Sequence, residues 1–406
     1  MTDLPDDPAL EALMRADAGR QLGFFRASLL PDGSLASLDR DGRPVAGVAQ
    51  EIMTTTRLVH SYALGALAGA PDCMAVVEAG MAALTTDWPH GHRDARHGGY
   101  LPIPRPGAAP PATDKQAYGH VFVLLAAARA RAVGHPGAEA LLAEAGDVIT
   151  NRFWDETAGR LQDEFRRDWT AFSDYRGMNA NMHAVEAFLT AHEVTGDRLW
   201  LDRAGRILDF FTGTVAPAHG WRLPEHYRSD WSVDPGYEGN PMFRPAGTTP
   251  GHSFELGRLL LHYWDLCGRP GDGAPATARA LIETAATGAW RPDGGFVYTL
   301  AADGTPLVTD RYWWPVTEAI GAFAMLRKLE GRDSDAAWYG RLWQTARDLF
   351  IDEARGGWHP EVDDQGRPAA RMFPGKPDLY HALQACLFPL TPGLSRHHQG
   401  LAGRLG

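Results

Sequence analysis

The stretch Glu318-Ala319-Ile320-Gly321-Ala322-Phe323-Ala324 is small and apolar almost all the way round a helical turn, so a helix built from it has to be covered on every side. Ser61-Tyr62-Ala63-Leu64-Gly65-Ala66-Leu67-Ala68 has the same character. Arg198-Leu199-Trp200-Leu201-Asp202-Arg203-Ala204 interleaves charge with bulk, as a helix does that shows one face to water and the other to a core. Periodicity places twelve such stretches, near 8–28, 52–69, 73–86, 115–133, 137–152, 179–195, 198–214, 251–267, 274–289, 312–329, 334–351 and 377–390. The even-numbered stretches are of the first kind and the odd-numbered ones of the second. Even-numbered starts recur about every 60–70 residues, a period that suits an array of helix pairs. The expectation is an all-α chain with even helices inside and odd helices outside. Six such pairs make an open solenoid or a closed toroid, and spacing alone leaves both open.

The connectors repeat as well. Asp-Gly-Arg-Pro at 41–44, Asp-Gly-Thr-Pro at 303–306 and Gln-Gly-Arg-Pro at 365–368 each follow an odd helix. Gly294-Gly-Phe-Val-Tyr-Thr-Leu300 followed by Asp303-Gly304 reads as a short β-hairpin. The other joints, such as Thr195-Gly196-Asp197, are tight: a glycine stop, then an Asp to cap the next helix. Long connectors therefore gather at one end of the helices. No shift in composition marks a boundary, so a single domain over 1–406 is expected.

Bulk properties narrow the function. With 44% hydrophobic residues the chain can bury a large core. A net charge of -11 argues against a nucleic-acid partner, which calls for a basic stripe. Cys73, Cys267 and Cys386 are odd in number and far apart, which speaks for a reducing compartment rather than a disulfide framework. The N-terminus MTDLPDDPALEAL is acidic where a signal peptide is basic, and the longest apolar run, Val121 to Ala128, is too short for a bilayer. A cytoplasmic protein without a membrane partner is the expectation; homo-oligomerisation stays open.

Polar side chains accumulate where the long connectors enter the even helices. They are Arg57; Tyr118 and His120; Asn179 and His183; His252 and Glu255; Trp314 and Glu318; Asp378, His381 and Gln384. Asn179/His183 and Trp314/Glu318 are spaced i,i+4, and His252/Glu255 and His381/Gln384 i,i+3, so each pair shares a helix face. Any one of them has an ordinary structural use. Six consecutive inner helices offering polar groups at one height is harder to explain so, since each buried unsatisfied group costs roughly 1–3 kcal/mol. Three imidazoles converging on one end give proton carriers matched to neutral pH. His90, His92 and His97 fit no standard metal spacing, and no metal or nucleotide cofactor is expected: a Walker loop, a Rossmann fingerprint and a GxSxG elbow are all missing. The loop Asp234 to Arg244 has the length of a lid.

Asn179-Ala-Asn-Met-His183, Thr249-Pro-Gly-His252-Ser-Phe-Glu255, Gly294-Gly-Phe, Trp314-Pro-Val-Thr-Glu318-Ala and Asp378-Leu-Tyr-His381-Ala-Leu-Gln384 together resemble the N-acylglucosamine 2-epimerase superfamily, and within it the bacterial mannose isomerase and sulfoquinovose isomerase branch. The resemblance runs from about Arg57 to Pro389. It implies a closed (α/α)6 barrel and metal-independent interconversion of free sugars. It also implies that His381 shuttles the proton at the reacting carbons and that His252 helps open the ring. Arg57, Asn179, His183, Glu255, Trp314 and Glu318 match residues that line the sugar site, and Tyr118 and Gln384 are counted with them from their position.

Aldose–ketose isomerisation of mannose, or of a lyxose-like aldose, to its ketose needs the ring opened and one proton moved from C2 to C1 through a cis-enediolate. One imidazole can do both transfers. Arg57 or a protonated His183 is the expected partner of the enediolate oxygen. Glu255 is expected to fix the tautomer of His252, and Glu318 to bind sugar hydroxyls. The alternatives are 2-epimerisation by the two histidines, and a sulfonated sugar held by Arg244 or Arg57. From other classes come a glycosidase using Glu255 with Glu318 and a non-enzymatic solenoid.

Overall fold

The computed structural model describes residues 7–103, 113–373 and 375–406; the first six residues, part of the acidic N-terminal stretch, lie outside them. The small-residue helices are Ile52–Leu67, Ala117–Ala132, Met178–Thr195, Pro250–Leu266, Trp313–Leu329 and Tyr380–Leu387. Each packs against the next, and the sixth returns to the first. Outside them lie Pro8–Phe25, Met74–Thr85, Ala138–Val148, Arg198–Leu208, Ala274–Ala289 and Asp333–Thr345, each against its inner partner. The ring closes: this is an (α/α)6 barrel. Its inner wall is apolar because it touches protein on both sides; Val121 to Ala128 are essentially without solvent contact. Small residues set the spacing. A Cβ on Gly80 would stand 2.3 Å from Val59 Cγ2, so only glycine lets those two helices approach so closely.

Three outer helices end otherwise than periodicity suggests, widening into π turns at Ile149–Phe153, Asp209–Val215 and Ala346–Phe350. The sixth inner helix is shorter than the expected 377–390. Asp378 accepts from the Tyr380 N–H at 3.0 Å and Leu379 is not helical, so the helix starts at Tyr380; a 3₁₀ turn at Phe388–Leu390 ends it.

The long connectors form a girdle of short antiparallel pairs around one mouth of the barrel. Lys115–Gln116 pairs with Glu164–Phe165, Arg176–Gly177 with His226–Tyr227, and Arg311–Tyr312 with Glu361–Val362. In each case the strand feeding an inner helix is held by the following connector. The reason is local. These inner helices have no side-chain N-cap, and their first N–H groups need acceptors. The next connector supplies them: Ala117 donates to Asp163 O at 2.8 Å, Met178 to Glu225 O at 3.0 Å, and Trp313 to Pro360 O at 3.2 Å. The turns at Asp41-Gly42 and Asp303-Gly304 close the expected hairpins, Ala36–Leu38 with Pro44–Ala49 and Thr299–Leu300 with Pro306–Val308. No described helix is long and apolar enough to cross a membrane.

Candidate active site

A cavity of about 450 Å³ opens at the girdled mouth, a size suited to a small ligand. Arg57, Tyr118, Asn179, His183, His252, Glu255, Trp314 and His381 all line it. These eight side chains come from all six inner helices. The imidazoles that the sequence placed at one height do converge.

Two of them are gripped from behind. His252 Nδ1 donates to both oxygens of Glu225, at 2.9 and 3.0 Å. His381 Nδ1 donates to Glu318 Oε1 at 2.7 Å. With Nδ1 carrying the hydrogen, each ring keeps its Nε2 lone pair free, the form a proton acceptor needs. Between them stands Trp314, its ring centre 5.1 Å from that of His252 and 5.8 Å from that of His381, tilted by 35° and 36°. Trp314 lies this close to the helix because position 251 is glycine: a Cβ there would meet the indole at 2.3 Å.

Glu318 is itself anchored, its Oε2 accepting from Arg258 Nε and Nη2 at 3.4 and 3.2 Å. Burial raises the Glu318 carboxyl, but Arg258 and then the hydrogen bond from His381 outweigh it and hold the group below its ordinary value. Glu255 goes the other way. Burial first, then the charges of Glu318 and Glu186, push it well above the carboxylate range. Burial draws His183 down to about 4 despite Glu186 nearby, so its ring is neutral at pH 7. Arg57 donates to Asp378 Oδ2 at 2.7 Å and to Tyr118 Oη at 3.1 Å. Burial disfavours its charge, yet Asp378, Tyr118 and Tyr380 more than restore it. Arg57 is thus the fixed cation of the cavity.

Several expectations need correcting. Glu255 does not hold His252; its carboxylate turns to His183, with Oε1 3.5 Å from Nδ1, and Glu225 takes the assigned part. Glu318 does not line the cavity, because both its oxygens are spent on His381 and Arg258. Gln384 lies one turn deeper than His381, buried and away from the cavity. A protonated His183 is not the partner of an enediolate, which leaves Arg57. His120 belongs to the frame: its Nε2 accepts from the Tyr100 N–H at 3.0 Å and its Nδ1 meets Gln116 O at 2.7 Å. His92 is likewise engaged, by Leu101 O and Thr55 Oγ1, and forms no metal cluster with His90 or His97 among the described residues. Arg244 is paired with Glu164 at 2.8 Å and stacked on Tyr175, so it is no free anchor for a sulfonate. The glycosidase pair fails on geometry as well. Glu318 does not reach the cavity that Glu255 lines, so the two carboxyl groups do not flank a sugar bound there.

The loop before Pro250 reaches the cavity. Asn240, Pro241, Met242 and Phe243 form part of the cavity wall, and Tyr298 Oη donates to Met242 O at 2.6 Å. Sequence reasoning missed Glu225, Glu186 and Arg258. His183/Glu186 and Glu255/Arg258 are i,i+3 pairs that could have been found by spacing. Glu225 sits in an irregular connector with no periodic signal.

Residues 33–385 match the model of the N-acylglucosamine 2-epimerase (GlcNAc 2-epimerase) family. The chain is 40% identical over 390 residues to a D-mannose isomerase of Thermobifida fusca, covering 95% of each. It is 40% identical over 394 residues to a D-mannose isomerase of Pseudomonas cannabina pv. alisalensis, covering 95% of this chain and 94% of that one. A crystal structure of a D-mannose isomerase superposes with a TM-score of 0.83 at 26% identity, over 93% of this chain and 97% of that one. The chain belongs to the N-acylglucosamine 2-epimerase family.

Proposed function

We propose that this member of the family is an aldose–ketose isomerase that interconverts free D-mannose and D-fructose. The observation that carries the reading is the pair of imidazoles on one cavity, each fixed by a carboxylate at Nδ1 and each beside Trp314. The names of the relatives supply the substrate class.

The chemistry divides between the two dyads. His252 moves a proton between the anomeric hydroxyl and the ring oxygen, and the pyranose opens to the aldehyde. His381 then takes the C2 proton, and the electron pair of that C–H bond becomes the enediolate. Arg57 stabilises the negative oxygen, a task suited to a fixed buried cation. His381 returns the proton to C1 while the O2 hydroxyl proton passes to O1, so that O2 becomes the ketone oxygen and O1 stays on C1 as a hydroxyl. Glu225 and Glu318 act through their histidines and are positioning residues. The flat face of Trp314 covers the apolar side of the sugar. A neutral hexose fits better than a sulfonated one, because Arg244 is already committed to Glu164 and Arg57 is the cation assigned to the enediolate.

The test is a product analysis. Purified protein without added metal is given mannose, lyxose or sulfoquinovose, and the sugars are separated by chromatography. Fructose from mannose at the highest kcat/KM supports the reading. Glucose as the main product, or a preference for sulfoquinovose, overturns it.

A further inference from the structure

In the wall of the sugar cavity and just behind it lies a second constellation, to which the proton transfers assign no role. His183 Nδ1 stands 3.6 Å from Glu186 Oε2 and 3.5 Å from Glu255 Oε1. The three donor atoms lie within 4.8 Å of one another, on side chains almost without solvent contact. Among the described residues, His183 Nδ1 and both Glu255 oxygens are buried without a well-formed hydrogen bond. Such orphaned donors and acceptors are costly, and native structures seldom keep three together without a use.

We propose that His183, Glu186 and Glu255 form a binding site for a divalent transition-metal cation of the zinc class, and that filling it shuts down the sugar site. The spacing fits. Tetrahedral zinc with bonds of about 2.0–2.2 Å separates its ligand atoms by roughly 3.3–3.5 Å, close to the 3.5 and 3.6 Å found. One imidazole with two carboxylates selects zinc, cobalt, nickel or copper; calcium and magnesium ask for more oxygens. Charge agrees too. Glu186, Glu255 and Glu318 all act on one guanidinium, Arg258; Arg57 is taken by Asp378, and Arg129 is divided between Glu193 and Glu186.

A neighbouring trio, Glu255, Glu318 and His381, has comparable spacing but is already spent. His381 Nδ1 and Arg258 saturate Glu318. In the first trio only Glu186 is engaged, by the Tyr380 hydroxyl. The ion inhibits because His183 and Glu255 both line the cavity. Ligation turns their polar atoms away from sugar hydroxyls and sets two positive charges near Arg57. The inhibition arm rests on the isomerase reading; the binding arm does not.

The experiment uses the whole protein after chelator treatment. Zinc is titrated by calorimetry, cobalt by visible absorption, and zinc inhibition is measured against mannose. One zinc per chain, the intense visible bands of tetrahedral cobalt, and inhibition competitive with mannose are expected. Glu186→Gln keeps an acceptor for Tyr380 and should weaken zinc at least about tenfold in both calorimetry and inhibition. His183→Gln, as a second variant, should abolish the cobalt bands, and circular dichroism checks that both are folded. Cys267 is an exposed thiol and another target for soft metals, so Cys267→Ser should change nothing. Absence of stoichiometric zinc, or inhibition that survives Glu186→Gln and disappears in Cys267→Ser, overturns the site. Zinc binding with no turnover of mannose would instead leave the site standing and remove the isomerase reading.

Discussion

Glu225 reaches His252 from twenty-seven residues earlier in the chain and holds Nδ1 with both carboxylate oxygens, at 2.9 and 3.0 Å. The strand pair Arg176–Gly177 with His226–Tyr227 fixes the neighbouring residue, His226, to the start of the third inner helix. The Met178 N–H donating to Glu225 O completes the hold. The tautomer of a ring on the fourth inner helix is thus set by a connector pinned to the third.

Glu225→Gln tests that relationship. The amide keeps the shape but presents an N–H where a charge was, so the imidazole loses its fixed tautomer. The expected outcome is a loss of about 100-fold or more in kcat/KM for mannose, with the melting temperature nearly unchanged. A variant as active as the parent would show that His252 needs no partner.

Gly251→Ala probes the seat of Trp314. The new methyl would stand 2.3 Å from the indole, and the ring has to move away from both histidines. Overpacking of this kind costs about 1–3 kcal/mol, and a displacement near 1 Å in a positioned site can cost about 100-fold in rate. Steady-state kinetics should show a fall of at least about tenfold in kcat/KM; the fluorescence of the variant should change on adding mannose less than that of the parent.

Stability should fall on mild acidification. Burial holds His92, His120 and His183 down to about 4 and His60 to about 3, against about 6.5 in an unfolded chain. Below pH 6.5 the unfolded chain takes up these four protons and the folded one does not, so the stability present above 6.5 is lost progressively down to about 4. Two carboxyls act in the opposite sense. Burial raises Asp163 to about 7 and Glu255 well above its ordinary value, so the folded chain keeps protons there that the unfolded chain has released. His226, His359 and His397 are lowered by burial as well and act with these four, so the histidines outweigh the two carboxyls and the net effect of acidification below pH 6.5 is a loss of stability. Thermal melts from pH 7.5 to 5 should show a steadily falling midpoint. A flat or rising midpoint would mean that the histidines are charged in the fold.

The helices were legible because small, apolar, nearly uncharged stretches such as Glu318–Ala324 have one physical destination, the inside of a layered array. Where they end was less so: the π turn Asp209–Val215 follows from the packing of its neighbours and leaves no mark in the spacing. In the site, spacing brought His252, Glu255 and Trp314 to one cavity and placed Glu318 with them, one turn short of where it lies. It could not say where their tips point. Residues three or four apart share a face, yet Glu255 turns to His183 on another helix and Glu318 to His381 on a third. Glu225 was invisible for a different reason: its place is set by a β pair between connectors about fifty residues apart.

The most direct measurement of the histidine mechanism is a proton-NMR time course of mannose in D2O with the parent protein and with His381→Ala. The parent should form fructose and place solvent deuterium at the reacting carbons, while His381→Ala should show neither product nor exchange at C2. Exchange at C2 retained in His381→Ala would contradict the assignment of His381 as the base, and with it the mechanism built on the two dyads.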